Sequence, residues 1–217
     1  METIKKALSY FSNAITYYTP SAADQYGPFR TGPSYPFCLS HAISIPLSEN
    51  DSKGSGICEA VYRNVCEINI TPISIRVYDE IRSLNKMHSL MKKGIKLLEL
   101  IKEPCEELSS LINLALFIDK SVITTIHAKK WHILKCKLSV QRTKRGFNTC
   151  LCKMEKLLEK EKGNTISAIP LVEADSSIGY EPTMGYMADK WHLEWKLRHM
   201  EYVLQQDIKK YRENLYL

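Results

Sequence analysis

The chain has 217 residues and holds only nine glycines. None of them sits in a loop ending in Gly-Lys-Ser/Thr or in a dinucleotide fingerprint, so the backbone cradles that nucleotide enzymes build from glycine are missing. There is no Gly-x-Ser-x-Gly elbow and no metalloprotease helix either. No apolar run approaches the roughly 20 residues that span a bilayer. The longest, Leu111 to Ile118, is broken by Asn113 and closed by Asp119. The first residues lack an apolar core followed by a small-residue cleavage site, so a secretory signal is not expected. The seven cysteines are odd in number and follow no disulfide spacing, which suits a reducing compartment. His132, Cys136, Cys150 and Cys152 lie close in sequence, but no two cysteines have the two-residue gap of a zinc frame, so no metal is expected. These absences argue against an enzyme and against a cofactor, and they place the chain inside the cell, in the cytoplasm.

What is present is a concentration of positive charge. From His127 to Lys162 there are eleven Lys or Arg and three acids, a net +8, while the whole chain carries +6. Everything outside that window therefore sums to −2. A confined basic field attracts phosphate or acidic lipid. The candidate binding residues are Lys129, Lys130, Lys135, Lys137, Arg142, Lys144, Arg145, Lys153, Lys156 and Lys160. Trp131 to Val140 alternates as a strand, with Lys135 and Lys137 on its outer face. A turn at Arg142 to Gly146 leads to a helix from about Thr149 to Glu161, with Gly163 as its stop. Lys153, Lys156 and Lys160, at steps of 3 and 4, share one side of that helix. Aromatic residues in the window are few, which favours contact with a phosphate backbone or headgroups over base stacking.

The rest of the pattern reads as α+β: a mostly antiparallel sheet packed by two or three helices, with a mobile N-terminal arm and a long C-terminal amphipathic helix. Three parts are expected: an arm over 1–36, a core over 37–178, and a linker with the last helix over 179–217. Ile4 to Tyr17 has helical spacing, and Thr19 to Pro36 is rich in proline, glycine and tyrosine. Phe37 to Leu47 alternates as a half-buried strand, and further strands are expected at Ile68–Val77, Val122–Ile126 and Ile166–Val172. Helices are expected from Asp79 to about Leu98 and from Pro104 to about Ile118. In the last helix Leu193, Leu197, Met200, Leu204, Ile208, Tyr211 and Leu215 recur at steps of 4, 3, 4, 4, 3 and 4. Such a seam either caps the core or pairs with another chain. Trp191, Trp195 and Tyr202 form a second apolar edge beside it.

Two short strings stand in the arm. Pro20-Ser21-Ala22-Ala23 is one residue from a proline-serine-alanine-proline budding signal, and Tyr35-Pro36-Phe37-Cys38-Leu39 fits a tyrosine-proline-spacer-leucine signal for recruiting membrane-scission machinery. With the basic start at Lys5 and Lys6, this layout resembles the matrix proteins of negative-strand RNA viruses. The resemblance implies a non-enzymatic structural protein that binds acidic membrane or ribonucleoprotein through its basic surface and self-associates. It would act on the inner membrane face or in a virion, with Pro20, Ser21, Tyr35, Pro36 and Leu39 as partner signals. The alternative is an RNA-binding regulator that dimerises through its last helix.

Overall fold

The computed structural model describes residues 2–18, 32–39, 73–139, 141–181 and 186–213. Six α-helices carry nearly all of them: α1 (Glu2–Ile15), α2 (Ile73–Leu98), α3 (Glu106–Ser139), α4 (Lys144–Ala174), α5 (Lys190–Tyr202) and α6 (Ile208–Glu213). A 3₁₀ turn (Ser176–Gly179) follows α4, and a single turn of π-helix (Val203–Asp207) joins α5 to α6. Among the described residues the only strand pairing is Tyr180–Glu181 with Tyr186–Met187, two residues on each side. The expected antiparallel sheet is therefore replaced by a helical array.

Each helix packs on the next, and the contacts run antiparallel. Tyr10 of α1 and Tyr17 just past its end meet Lys93 and Lys86 of α2, so rising numbers in one meet falling numbers in the other. His88 and Glu80 of α2 reach Asp119 and Lys129 of α3 in the same way. Asn113 and His127 of α3 bond Leu171 and Glu161 of α4. Glu161 and Glu155 of α4 then take Lys196 and Arg212 beyond the next bend. This is the up-down order that short connections between helices produce. Where α1 crosses α2, Gly94 leaves space for the Phe11 ring: a Cβ there would stand 2.4 Å from Phe11 Cε1.

α3 is the central element. Ala115, Val122 and Ile126 belong to the cluster it shares with α1 and α2, while Ala128, Trp131 and Leu138 belong to the cluster it shares with α4 and α5. Burial on two sides makes a helix apolar nearly all round. That explains two errors at once. The β-branched run Val122–Ile126 and the alternating Trp131–Val140 look like strands because the polar stripe that would mark a helix is missing. Ile73–Val77 and Ile166–Val172 are likewise helical, in α2 and α4. Gly163 does not stop α4. It faces open space and costs the helix about 1 kcal/mol relative to alanine, yet the helix runs on through Pro170 to Ala174 because Thr165, Ala168 and Val172 are buried beyond it. The stretch Glu106–Lys135 of α3 is long and apolar enough to cross a membrane by length and composition, and half of its apolar 18-residue window is buried inside the fold.

Residues 32–39 are not an appendage. Tyr35, Phe37 and Leu39 lie in the same buried cluster as Trp131, Leu158 and Leu193, so the expected divisions at 36/37 and 178/179 run through one continuous core. Phe37 meets both Tyr35 and Trp131 edge to face, at 5.9 and 5.7 Å between ring centres. The expected strand beyond Leu39, Ile68–Pro72, and Pro20, Ser21 and Leu215 lie outside the described residues.

Candidate polyanion surface and the buried charges behind it

The α3–α4 hairpin is set by local chemistry at its turn. Gln141 N–H donates to the Leu138 carbonyl as α3 ends. Thr143 then caps α4, its hydroxyl accepting from Gly146 N–H at 3.1 Å. Along α4 the buried positions Cys150, Leu151, Met154, Leu157, Leu158, Glu161, Thr165 and Ala168 recur at helical steps. Arg145, Lys153, Lys156 and Lys160 fall on the far side of the helix and are exposed. On α3, Lys130 and Lys137 stand seven residues apart on one side and are also exposed. The two rows meet: the Lys130 ammonium is held below its ordinary value by burial first, and then by the nearby charge of Lys160. Arg142 and Lys144 add exposed cations at the hairpin tip.

Two of the three acids of this window are taken up, and Glu159 stays exposed on α4. Glu161 points into the core. Glu155 is bound by Arg212 at 2.6 Å, and Glu159 lies 3.4 Å from Lys162. No described carboxylate pairs with Lys130, Arg142, Lys144, Arg145, Lys153, Lys156 or Lys160. Lys137 donates to the Tyr78 hydroxyl at 3.1 Å and lies over its ring, yet remains exposed.

Two expected members leave the surface. Lys129 is buried and bonds Glu80 at 2.7 Å, linking α3 to α2. Lys135 is half-buried and engaged. The reason is the change of secondary structure. On a strand Lys135 and Lys137 would share a face, but on a helix residues two apart diverge by about 200°. Lys129→Met should therefore lower stability and leave polyanion binding nearly unchanged. The expected cost is about 3 kcal/mol, because buried Glu80 loses the charge of Lys129. Urea denaturation beside a binding titration checks both halves.

The seam of the last helix also goes inward. Leu193, Met200 and Ile208 are fully buried, and Leu197 and Leu204 pack against the same cluster. They cap this chain's own core, which leaves Tyr211, 44% exposed, as the one outward-facing member among the described residues. The buried positions run Leu193, Lys196, Met200, Val203, Ile208, with a last step of five. The π turn makes that step: Ile208 N–H reaches back five residues to the Val203 carbonyl. The outer edge is the aromatic one, with Trp191 61% and Tyr202 53% exposed. Tyr35, Pro36 and Leu39, expected as a partner signal, are buried in the core, so that signal is hidden.

Behind the hairpin lies a set of polar residues that the sequence reading passed over. Glu161 is wholly buried on α4, and Lys196 is wholly buried on α5. The Lys196 ammonium donates to Glu161 Oε1 at 2.5 Å and to the Pro33 carbonyl at 2.6 Å, and lies 5.3 Å from the Phe37 ring centre. Glu161 also accepts from the Thr124 hydroxyl, and its other oxygen lies 2.6 Å from His127 Nδ1. Asn164 donates to Thr124 and to the Lys120 carbonyl. Burial pushes the Glu161 carboxyl up, but Lys196 and His127 together hold it below its ordinary value. Burial holds Lys196 below its ordinary value despite Glu161. One signal was available in the sequence. Glu161 falls three or four residues from Leu157 and Leu158, and Lys196 falls between Leu193 and Met200, so each charge occupies an apolar register position.

These charges are closed inside the bundle and serve to join α3, α4, α5 and residues 32–39. The surface open to a ligand is the hairpin. Among the described residues no group of three or more metal-ligating side chains comes together. No family model, no curated protein and no solved structure matches the chain.

Proposed function

We propose that this chain is a non-enzymatic structural or interaction protein that holds a polyanion on the α3–α4 hairpin. The ligand is the phosphate backbone of a nucleic acid or the acidic headgroups of a membrane. One observation carries the reading: eight cations (Lys130, Lys137, Arg142, Lys144, Arg145, Lys153, Lys156 and Lys160) are exposed on the hairpin, while of the three acids of the same window only Glu159 is exposed, with Lys162 beside it. On a well-packed two-helix support such charges keep their spacing, so a ligand need not organise them. The hidden Tyr35-Pro36 signal removes one of the two strings behind the matrix-type layout, and the polyanion surface stands without it. The inward seam of the last helix leaves the dimerising regulator without its proposed contact.

The test is RNA filter binding beside flotation with vesicles containing phosphatidylserine, each titrated with salt. If about five of the eight cations meet phosphates, log affinity for RNA should fall against log salt with a slope near −4 to −5. On vesicles, each cation near the surface is expected to contribute about 1 kcal/mol. Tight binding to one target selects it. Binding to neither at about 50 mM salt removes the proposal.

A further inference from the structure

Residues 32–39 are tied down at the carbonyls of Pro33 and Cys38 and through the side chain of Ser34. Lys196 donates to the Pro33 carbonyl, Trp131 Nε1 donates to the Cys38 carbonyl at 2.9 Å, and the Ser34 hydroxyl donates to the Met187 carbonyl. These ties place Cys38 Sγ 3.5 Å from His199 Nε2, within hydrogen-bond reach for sulfur. The His199 ring lies flat against the indole of Trp195, 5.2 Å between centres with 4° between planes. Trp195 is 36% exposed and His199 partly so, which sets the pair one layer beneath the surface. Burial holds His199 below its ordinary value; the Phe37 backbone and Asp207 oppose this, and Lys196 adds to it. A neutral imidazole with a nitrogen facing a thiol is the arrangement that activates cysteine nucleophiles.

We propose that Cys38 is a selectively reactive thiol, oxidised by hydroperoxides with His199 as its base. The thiol proton passes to His199 Nε2, and the sulfur attacks the terminal oxygen of the peroxide. An S–O bond forms as the O–O bond breaks. The leaving hydroxide or alkoxide takes the proton back from His199 and departs as water or alcohol. Sulfur is oxidised to the sulfenic acid and the peroxide is reduced. The added oxygen has to be fitted into a packed site, which loosens residues 32–39 from α5.

The experiment exposes the full chain to hydrogen peroxide at pH 7, traps sulfenic acid with dimedone, and reads each cysteine by mass spectrometry. Two comparators are built in: Cys105, exposed and without a histidine, and Cys150, buried and without a histidine. Cys38 should be trapped faster than either by about tenfold or more, the modest end of general-base assistance. His199→Phe, which keeps a ring against Trp195, should bring Cys38 down to the rate of Cys150. In the wild-type chain the Cys38 rate should level off by about pH 7, because its base is held below the ordinary histidine value, and Cys105 should not share that profile. The charged groups facing His199 that could alter this profile are Asp207, which raises its value, and Lys196, which lowers it. The idea is overturned if Cys38 reacts no faster than Cys105. It is equally overturned if Cys38 and Cys105 share one pH profile, or if a folded His199→Phe reacts as the wild type does.

Discussion

Lys196→Met is expected to lower the unfolding free energy by about 3–5 kcal/mol, a fall of roughly 6–20 °C in Tm for a chain of this size. The size follows from what remains behind. Lys196 and Glu161 have no exposed side-chain surface, so removing the ammonium leaves a carboxylate in the core with only Thr124 and His127 against it. The Pro33 carbonyl loses its donor as well, and residues 32–39 lose one of the ties that hold them on the helices. Glu161→Gln should cost a similar amount for the opposite reason, a buried ammonium without its anion. The double variant Lys196→Met, Glu161→Gln should cost clearly less than the sum, since each change removes the other's orphan.

The pH dependence separates the two single variants by sign. In the wild-type chain Glu161 is held below its ordinary value of 4.5, so the stability it contributes is present above pH 4.5 and is lost as pH falls through its lower, folded value. Without Lys196 the carboxylate faces burial with less opposing charge, and its value rises. Acidification then neutralises it, and Lys196→Met should approach the wild type as pH falls. In Glu161→Gln the stranded group is the ammonium, whose value burial already holds down. Raising the pH neutralises it, so this variant should recover toward alkaline pH. Urea midpoints at pH 4, 7 and 9.5 test both trends. Two variants moving in the same direction with pH would show that the pair is not ionised.

The same residues show why so much of the fold was hidden in the sequence. Helices with one buried side were readable: Ile81, Leu84, Met87, Met91 and Ile95 of α2 keep a clean stripe because only one face of that helix is covered. α3 is covered on two sides, so its stripe is blurred and its β-branched residues take on the look of a strand. In the C-terminal helix the spacing was legible but its direction was not, since an apolar seam looks the same whether it meets its own core or another chain. The π turn was invisible because it shifts register by one residue without any marker residue. For the surface, charge excess located the region but could not separate Lys129 from Lys130. That distinction depends on Glu80 lying opposite, forty-nine residues away in the chain.

Reversing four outward cations, Lys130, Lys153, Lys156 and Lys160 to Glu, is expected to abolish polyanion binding while leaving the fold intact. None of the four is bonded to a described carboxylate, so their loss strands no buried group and should shift stability by no more than about 0.5 kcal/mol each. Lys130 and Lys160 repel each other, and two glutamates in their places repel in the same way, so this pair changes sign with little change in energy. For binding, losing four of about five phosphate contacts should reduce the log–log salt slope from near −4.5 to about −1. On acidic vesicles the four lost attractions amount to roughly 4 kcal/mol, close to a thousandfold, before any repulsion from the new carboxylates. Circular dichroism and Tm establish that the variant is folded, and filter binding and flotation give the loss. A matched control reverses Lys5, Lys6, Lys92 and Lys96, four exposed cations carried on α1 and α2. If the control loses as much affinity as the hairpin variant, binding follows net charge and the hairpin holds no site. If only the hairpin variant loses it, the ligand reads the place of the charges, because the two variants change total charge by the same amount.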